Sequence, residues 1–276
     1  MEKRAMQTVN HNGVLFYRFD ALADEPGLAH AVFTRRGGVS RPPFATLNLG
    51  HTVGDDLEAV RVNHQRALDA LGWGREDVAT CHQVHGARVA VVGSDDRGVV
   101  QPETDGLVTA SPGVVLMLRF ADCVPVLFYD RRQRVLGLAH AGWRGVVAGS
   151  VPATVATLIG TFGCEASDLW AGIGPSIGPC CYEVGPDVVE QVKASANGRE
   201  PFRRVNNRVH LDLWTAVQGQ LEDAGVEQVE VAELCTACRT DDWFSHRAER
   251  GVTGRFGVVI GLCEPNDSSC DSPPTR

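Results

Sequence analysis

The amino-acid sequence predicts an α/β fold in a single domain, and three observations carry that prediction. Short apolar runs bounded by turn residues alternate with segments whose apolar positions repeat at the helical period. The 276 residues are enough to bury a large core. No internal repeat or linker-like stretch divides the chain before a polar, proline-containing tail at 264–276, EPNDSSCDSPPTR, which is expected to be disordered. The expected domain therefore covers residues 1–263.

Taken in order, residues 14–19 and 30–34 alternate apolar and polar side chains and read as two paired strands. Residues 35–54, rich in Gly, Pro and Asn, read as a long surface loop of the kind that often carries function. A helix follows, capped by Asp55 or Asp56, lined on one face by Leu57, Val60, His64, Leu68 and Leu71, and ended by Gly72. Residues 78–92 are expected to carry His82 and His85 into a strand, and 104–110 and 114–120 to add two more. Two buried apolar runs, 124–129 and 135–141, flank a short charged turn and predict a hairpin. From 143 to 162 the positions of Val146, Val147, Val151, Val155, Leu158 and Ile159 follow a helical period, with Pro152 inside it. That proline predicts either a kink or a start delayed to Ser150. A strand at 169–173, helices at 186–196 and 211–224, and strands at 229–231 and 256–262 complete the chain.

A formal charge of −8 and a pI near 5.6 argue against wholesale wrapping of nucleic acid, which needs many Lys and Arg contacts. They leave room for a small anionic substrate held by a few arginines. No apolar run approaches the length of a membrane-spanning helix. The opening residues lack the apolar stretch of a secretory signal, so a cytoplasmic protein is expected. Nine cysteines without a signal read as thiols and ligands rather than a disulfide framework.

The chemistry centres on FADCVPVLFYDRRQRVLGLAHAGWRG, residues 120–145, where the hairpin would bring Cys123 and His140 to the same end. If His85 of CHQVHG (81–86) joins them, two imidazoles and a thiolate suit zinc and leave a fourth position for water or substrate. Water bound there would have its pKa lowered toward neutrality, and Asp122, next to the cysteine, is the candidate proton carrier or ligand-orienting group. A metal-free reading of the same residues makes Cys123 a nucleophile and His140 its base. A multicopper oxidase needs several histidine clusters, which nine scattered histidines do not supply.

Arg144 would sit at a helix entrance, open either to an anion or to a surface ion pair. Residues 172–185, GIGPSIGPCCYEVG, hold four glycines and two prolines, which force a tight backbone able to approach a ligand closely. Their spacing is neither that of a P-loop nor of a dinucleotide fingerprint. In the loop-like stretch 234–255 stand Cys235, Ser245, His246, Arg247 and Arg255. The CxxC pair Cys235 and Cys238 is a weak signal for zinc or redox chemistry, since no second pair accompanies it.

Several motifs in one order carry a resemblance: LNLG from Leu47 to Gly50, QVHG at 83–86, ADCVP at 121–125, HAGWRG at 140–145, GPSIGPCCYEVG at 174–185, CT at 235–236, FSHR at 244–247 and TGR at 253–255. Over residues 28–262 the chain resembles the YfiH-like proteins, also called laccase-domain or peptidoglycan editing factor proteins. The resemblance implies a layered α/β/β/α domain, the YfiH-like or cysteine-hydrolase-like fold, with zinc held by His85, Cys123 and His140; copper is the alternative ion. It implies phosphorolysis of adenosine, inosine, guanosine and methylthioadenosine, with adenosine deamination. Other roles attached to the family are copper-dependent polyphenol oxidation and the editing of peptidoglycan precursors. The partners implied are nucleosides and phosphate, with no nucleic acid or membrane, and the expected state is a monomer or weak homodimer.

Catalytic candidates are Asp122, Cys123 and Arg144; substrate-binding candidates are Asn48 of the LNLG stretch, Gln83, Arg144, Ser245, Arg247 and Arg255. Two departures from the family pattern are His64 beside Asn63, where an arginine is common, and His246 after Ser245, where a tyrosine is common. A metal-stabilised module that binds a cell-wall precursor is the non-catalytic reading.

Overall fold

The computed structural model describes residues 5–264. The tail expected to be disordered therefore lies outside the described residues, apart from Glu264. β1, Met6–His11, and β2, Val14–Phe19, form an antiparallel hairpin turned at Asn12 and Gly13, both in the left-handed region. β3, Leu28–Phe33, pairs antiparallel with β2, placing Tyr17 opposite Val32. The expected early pair is present, joined by a β1 that the mixed polarity of MQTVNH concealed.

Residues 34–56 hold no helix or strand. The loop is pinned by α1, Leu57–Asp69, whose buried Asn63 donates to the carbonyls of Thr46 (3.1 Å) and Asn48 (2.9 Å) and accepts from the Val39 N–H (2.8 Å). Asp56 caps the helix by accepting from the Glu58 N–H at 3.0 Å. Leu57, expected on the inner face, is instead 62% exposed: its angle is right, but it stands in the first turn, outside the core that Ala67 and Leu68 join.

The strand expected over 78–92 is two strands. β4, Val78–Cys81, and β5, Val89–Val91, lie in different sheets, and residues 82–88 cross between them with His85 at φ 61°. Valines on both sides of the bend read as one apolar run, which hid the crossing. β6, Val100–Gln101, β7, Gly106–Thr109, and β8, Val115–Phe120, follow. β9, Val124–Asp130, and β10, Val135–Ala141, make the expected hairpin, with His140 opposite Pro125 and Ala141 opposite Val124. The Asp130 carboxylate accepts from the N–H groups of Arg132 and Gln133, both at 2.9 Å, and so closes the turn.

Gly149, at φ 80°, separates α2, Trp143–Ala148, from α3, Ser150–Phe162. The delayed start at Ser150 is thus realised, and Pro152 falls in a first turn that lacks N–H acceptors anyway. β11, Leu169–Ile173, and α4, Pro186–Ser195, with proline at its first position, follow. Unexpected from the sequence is the hairpin of β12, Phe202–Val205, and β13, Arg208–Leu211, turned at Asn206 and Asn207, both at positive φ. α5, Leu213–Asp223, is capped by Asp212, and β14, Gln228–Val231, and β15, Phe256–Leu262, end the described chain.

The strands form a seven-stranded sheet, ordered β1-β2-β3-β15-β8-β4-β6, and a six-stranded sheet, ordered β14-β11-β9-β10-β7-β5. Alternation along the strands sorts the core into layers. Leu116 and Leu118 of β8, Leu127 and Tyr129 of β9, Leu136 and Leu138 of β10, and Val258 and Ile260 of β15 pack between the sheets. Val115 and Met117 face the α1 side, and Val124, Val126 and Phe128 face α3 and α5. The expected α/β/β/α layering follows, and strands buried on both faces explain the continuous apolar runs. His140 shares the parity of Leu136 and Leu138 and so points between the sheets, its ring 5.4 Å from that of Phe120.

Among the described residues seven cysteines are free, while Cys263 is disulfide-bonded, an exception to the thiol reading. No helix among the described residues is long and apolar enough to cross a membrane.

Candidate metal centre

Three side chains from three places in the sequence meet at the floor of a cavity of about 600 Å³. Cys123 stands at the tight connection from β8 to β9, where Asp122 adopts φ 86°; His140 is near the end of β10; His85 is in the crossing between the sheets. One donor atom from each lies within 4.8 Å of the others, and the two imidazole rings are 4.8 Å apart at 70°. Hairpin pairing brings Cys123 and His140 together, and the sheet-to-sheet crossing brings in His85.

Asp105, which the sequence reading missed, organises this arrangement. Its fully buried carboxylate accepts from His140 Nδ1 at 2.8 Å through Oδ1, which also takes the His85 N–H at 2.9 Å. Oδ2 accepts the N–H groups of Val84 (3.1 Å) and Gly86 (2.8 Å). A carboxylate can only accept here, so Nδ1 carries the His140 proton and Nε2 is the free donor atom. The available signal was TDG at 104–106, an acid at the start of an expected strand. Its pairing with a histidine 35 residues away is tertiary.

Burial alone would raise the Cys123 thiol, but the His140 charge and hydrogen bonds from both imidazoles bring it down to about 6. Burial alone would lower His140, but Cys123 and Asp105 hold it up at about 9. The two shifts run in opposite directions and together favour a thiolate beside an imidazolium when no ion is bound. For Asp105, burial raises the pKa, yet the His140 and backbone hydrogen bonds outweigh it and leave the carboxyl below its ordinary range.

The other sequence candidates divide into two groups. Asp122, Arg144, Arg247, Arg255 and Gln83 line the cavity, whereas Asn48 and Ser245 do not. Arg144, exposed in the first turn of α2, stacks over Trp143 at 4.4 Å and makes no ion pair among the described residues. Arg247 lies over the Tyr182 ring at 5.0 Å and donates to the Glu183 carbonyl at 2.8 Å. Arg255 donates to the carbonyls of Thr253 and Gly254. Gln83 is bound twice to the Arg119 main chain, at 2.9 and 3.0 Å. Both Asp122 oxygens are engaged, one by the Thr236 hydroxyl (2.7 Å) and the other by the Arg247 N–H (2.6 Å).

Asn48 is fully buried and accepts the Arg255 N–H at 2.8 Å, and Ser245 is fully buried and accepts the Ala248 N–H at 3.1 Å. These two build the loops that carry the arginines. Residues that the sequence reading did not assign to the site, but which line it, include His51, Arg119, Tyr182 and His246. Burial pushes the Tyr182 phenol up, with Cys123 adding to the effect.

A layered α/β protein with a two-histidine, one-cysteine donor set under an arginine-lined cavity is the class that fold and site define. The chain belongs to the family described as multi-copper polyphenol oxidoreductase laccase, which it matches over residues 29–263. It is 40% identical over 250 residues to the purine nucleoside phosphorylase YlmD of Geobacillus stearothermophilus, a match covering 86% of this chain and 91% of that one. It is 42% identical over 239 residues to a purine nucleoside phosphorylase of Deinococcus radiodurans, with the same two coverages, 86% and 91%. The crystal structure of YlmD from Geobacillus stearothermophilus superposes with a TM-score of 0.89 at 37% identity, over 95% of this chain and 100% of that one. The fold is therefore the mixed α/β fold of those proteins.

Proposed function

We propose that this chain is a zinc-dependent purine nucleoside phosphorylase that converts adenosine, inosine, guanosine and methylthioadenosine to free base and ribose 1-phosphate or its methylthio analogue, and that it also deaminates adenosine. The observation that carries this reading is the meeting of His85, Cys123 and His140 at the floor of a cavity edged by Arg144 and Arg247. The names of the relatives supply the reaction class.

The residues present fit a zinc ion. Two imidazoles and a thiolate are an ordinary zinc donor set, and Asp105 orients one imidazole as such ligands are usually oriented. A Cβ at Gly142 would lie 2.7 Å from Cys123 Sγ and 3.2 Å from His85 Cδ2, so glycine keeps the space beside the donors open. The lining holds no methionine to act as the axial ligand of an electron-transfer copper site, and Gln83, the other side chain of that type, has both amide atoms bound to the Arg119 main chain. When held by His85, Cys123 and His140, zinc would supply a Lewis acid to the cavity.

The chain's own groups do the rest. In phosphorolysis a phosphate oxygen bonds to C1′ as the C1′–N9 bond breaks, and the base leaves with the bonding pair and takes up a proton. Arg144 and Arg247 hold the phosphate through their planar forks of donors. Tyr182, kept protonated by burial, offers a hydroxyl donor to the cavity. Asp122 acts by position, fixing the Arg247 main chain and Thr236 rather than carrying a free proton.

The test is incubation of purified protein with adenosine and phosphate, chromatography for adenine, ribose 1-phosphate and inosine, and metal analysis of the same sample. His85→Ala is expected to lose both zinc and all products while keeping the wild-type circular dichroism. Undiminished turnover in that variant overturns the zinc reading. The thiolate–imidazolium pair of Cys123 and His140 favours one rival, a metal-free thiol nucleophile. Active, metal-free enzyme covalently labelled at Cys123 by substrate would establish that rival instead.

A further inference from the structure

Away from the cavity floor, four sulfurs meet at a second point. Cys180 and Cys181 lie on the loop between β11 and α4; Cys235 and Cys238 lie on the stretch between β14 and β15. All four are free thiols, and their sulfurs lie within 4.8 Å of one another. Cys238 Sγ is 3.5 Å from that of Cys180 and 3.3 Å from that of Cys181. A tetrahedral ion with metal–sulfur bonds of about 2.3 Å separates its sulfurs by about 3.8 Å. The two Cys238 separations fall a few tenths of an ångström short of that edge, every pair stays within 4.8 Å, and both separations exceed the roughly 2.05 Å of a disulfide.

The main chain, and not rotamer chance, sets this arrangement. Ser176 donates to the Leu234 carbonyl at 3.2 Å and accepts the Thr236 N–H at 3.0 Å, which ties the two loops together beside Cys235. The Gly178 N–H donates to Cys235 Sγ at 3.2 Å, the contact a ligating thiolate receives. A Cβ at Gly178 would meet Cys235 Cβ at 3.2 Å, so the close approach needs glycine. Cys180 and Cys238 are exposed, giving an ion a path from solvent. Thiolates select soft or borderline ions such as zinc. The CxxC that lacks a second pair in the sequence thus finds one in space, in the neighbouring residues Cys180 and Cys181.

We propose that Cys180, Cys181, Cys235 and Cys238 form a tetrathiolate site for a zinc-like divalent ion, separate from the cavity site, which clips the loop bearing Tyr182 to the loop bearing Arg247. Binding replaces the ion's water ligands with four sulfur–metal bonds and releases the four thiol protons to solvent. Its consequence for the cavity is positional: Tyr182 and Arg247, stacked at 5.0 Å, come from the two loops that the ion joins.

The full chain, purified under reducing conditions, is expected to hold about two zinc equivalents by elemental analysis. Cys180→Ser with Cys238→Ser removes one equivalent and leaves the one that His85→Ala removes. Titration of the wild-type apo-protein with Co²⁺ needs no variant to fold: a tetrahedral spectrum whose thiolate-to-cobalt charge-transfer band is several times as intense as the single thiolate Cys123 can give supports the site, and most of that band persists in His85→Ala. An unchanged zinc content in the double serine variant, a cobalt titration without that band, or disulfide pairing of these cysteines in metal-replete protein overturns the proposal. None of these outcomes depends on the reaction catalysed at the cavity, so the two readings fail separately.

Discussion

Asp105→Asn is the most informative single change, because one buried carboxylate serves both one proposed ligand, His140, and the loop that carries the other, His85. Oδ1 accepts from His140 Nδ1 and the His85 N–H, and Oδ2 from the N–H groups of Val84 and Gly86. An amide has one accepting oxygen. The orientation that preserves the His140 bond turns an NH₂ toward two backbone donors, and the other orientation turns it toward His140. Each buried donor left without a partner costs about 1–3 kcal/mol, so the two unpaired N–H groups at 84 and 86 cost about 2–6 kcal/mol. That is a large part of the roughly 5–15 kcal/mol that ordinarily holds a domain folded. Even where the amide oxygen keeps the His140 bond, the carboxylate charge that raises the basicity of the imidazole is gone, and mutation of such an outer partner lowers metal affinity about 10–100-fold, equivalent to about 1.4–2.7 kcal/mol. Urea unfolding of the metal-free protein reads the first effect, and zinc competition against a chromogenic chelator reads the second. A variant that unfolds earlier yet binds zinc as tightly as wild type refutes the orienting role and leaves Asp105 as a loop clamp only.

Gly142→Ala is expected to weaken zinc binding sharply in the same competition assay, since the added Cβ would fall 2.7 Å from Cys123 Sγ. In metal-free protein, alkylation of Cys123 by iodoacetamide, followed by mass spectrometry, should rise through a pH near 6 and reach its plateau by neutrality. The linked stability has two limits. The lowered thiol contributes above its ordinary range and is lost as pH falls through about 6, while the raised His140 contributes below its ordinary range and is lost as pH rises through about 9. Between those values the folded thiolate and imidazolium hold as many protons as the unfolded thiol and imidazole, so the two contributions offset each other and the pair adds no pH dependence there; a pH-dependent thermal-unfolding midpoint across that interval that Cys123→Ser abolishes would contradict the ion pair. Arg144→Ala should raise the phosphate KM by about tenfold or more with little change in the melting temperature, because the side chain makes no ion pair among the described residues. Asp56→Ala should cost about 1 kcal/mol in urea unfolding through the lost α1 cap, with zinc content unchanged.

Much of the fold was legible in the sequence because local rules write it there. The hairpin of β9 and β10, the delayed start at Ser150, the Asp56 cap and the β15 span follow from apolar runs, a proline, a capping acid and flanking turns. The layering itself entered through resemblance. The split of residues 78–92 was not legible, since valines on both sides of His85 satisfy either sheet. The hairpin of β12 and β13 was hidden by arginines, which an edge ribbon tolerates and a periodicity argument discounts.

The sequence by itself determined which residue types stand at each strand end: a thiol before β9, an imidazole near the end of β10 and another after β4. Local chemistry fixes such placements, because side-chain period and turn preference act over a few residues. Only the tertiary structure decided that Asp105 turns His140 toward the cavity, that Asn48 and Ser245 lie beneath the loops and not at the site, and that Cys180 and Cys181 face a CxxC more than fifty residues away. Those contacts depend on how two sheets and their loops pack, a property of the whole chain's burial that no short window of residues contains.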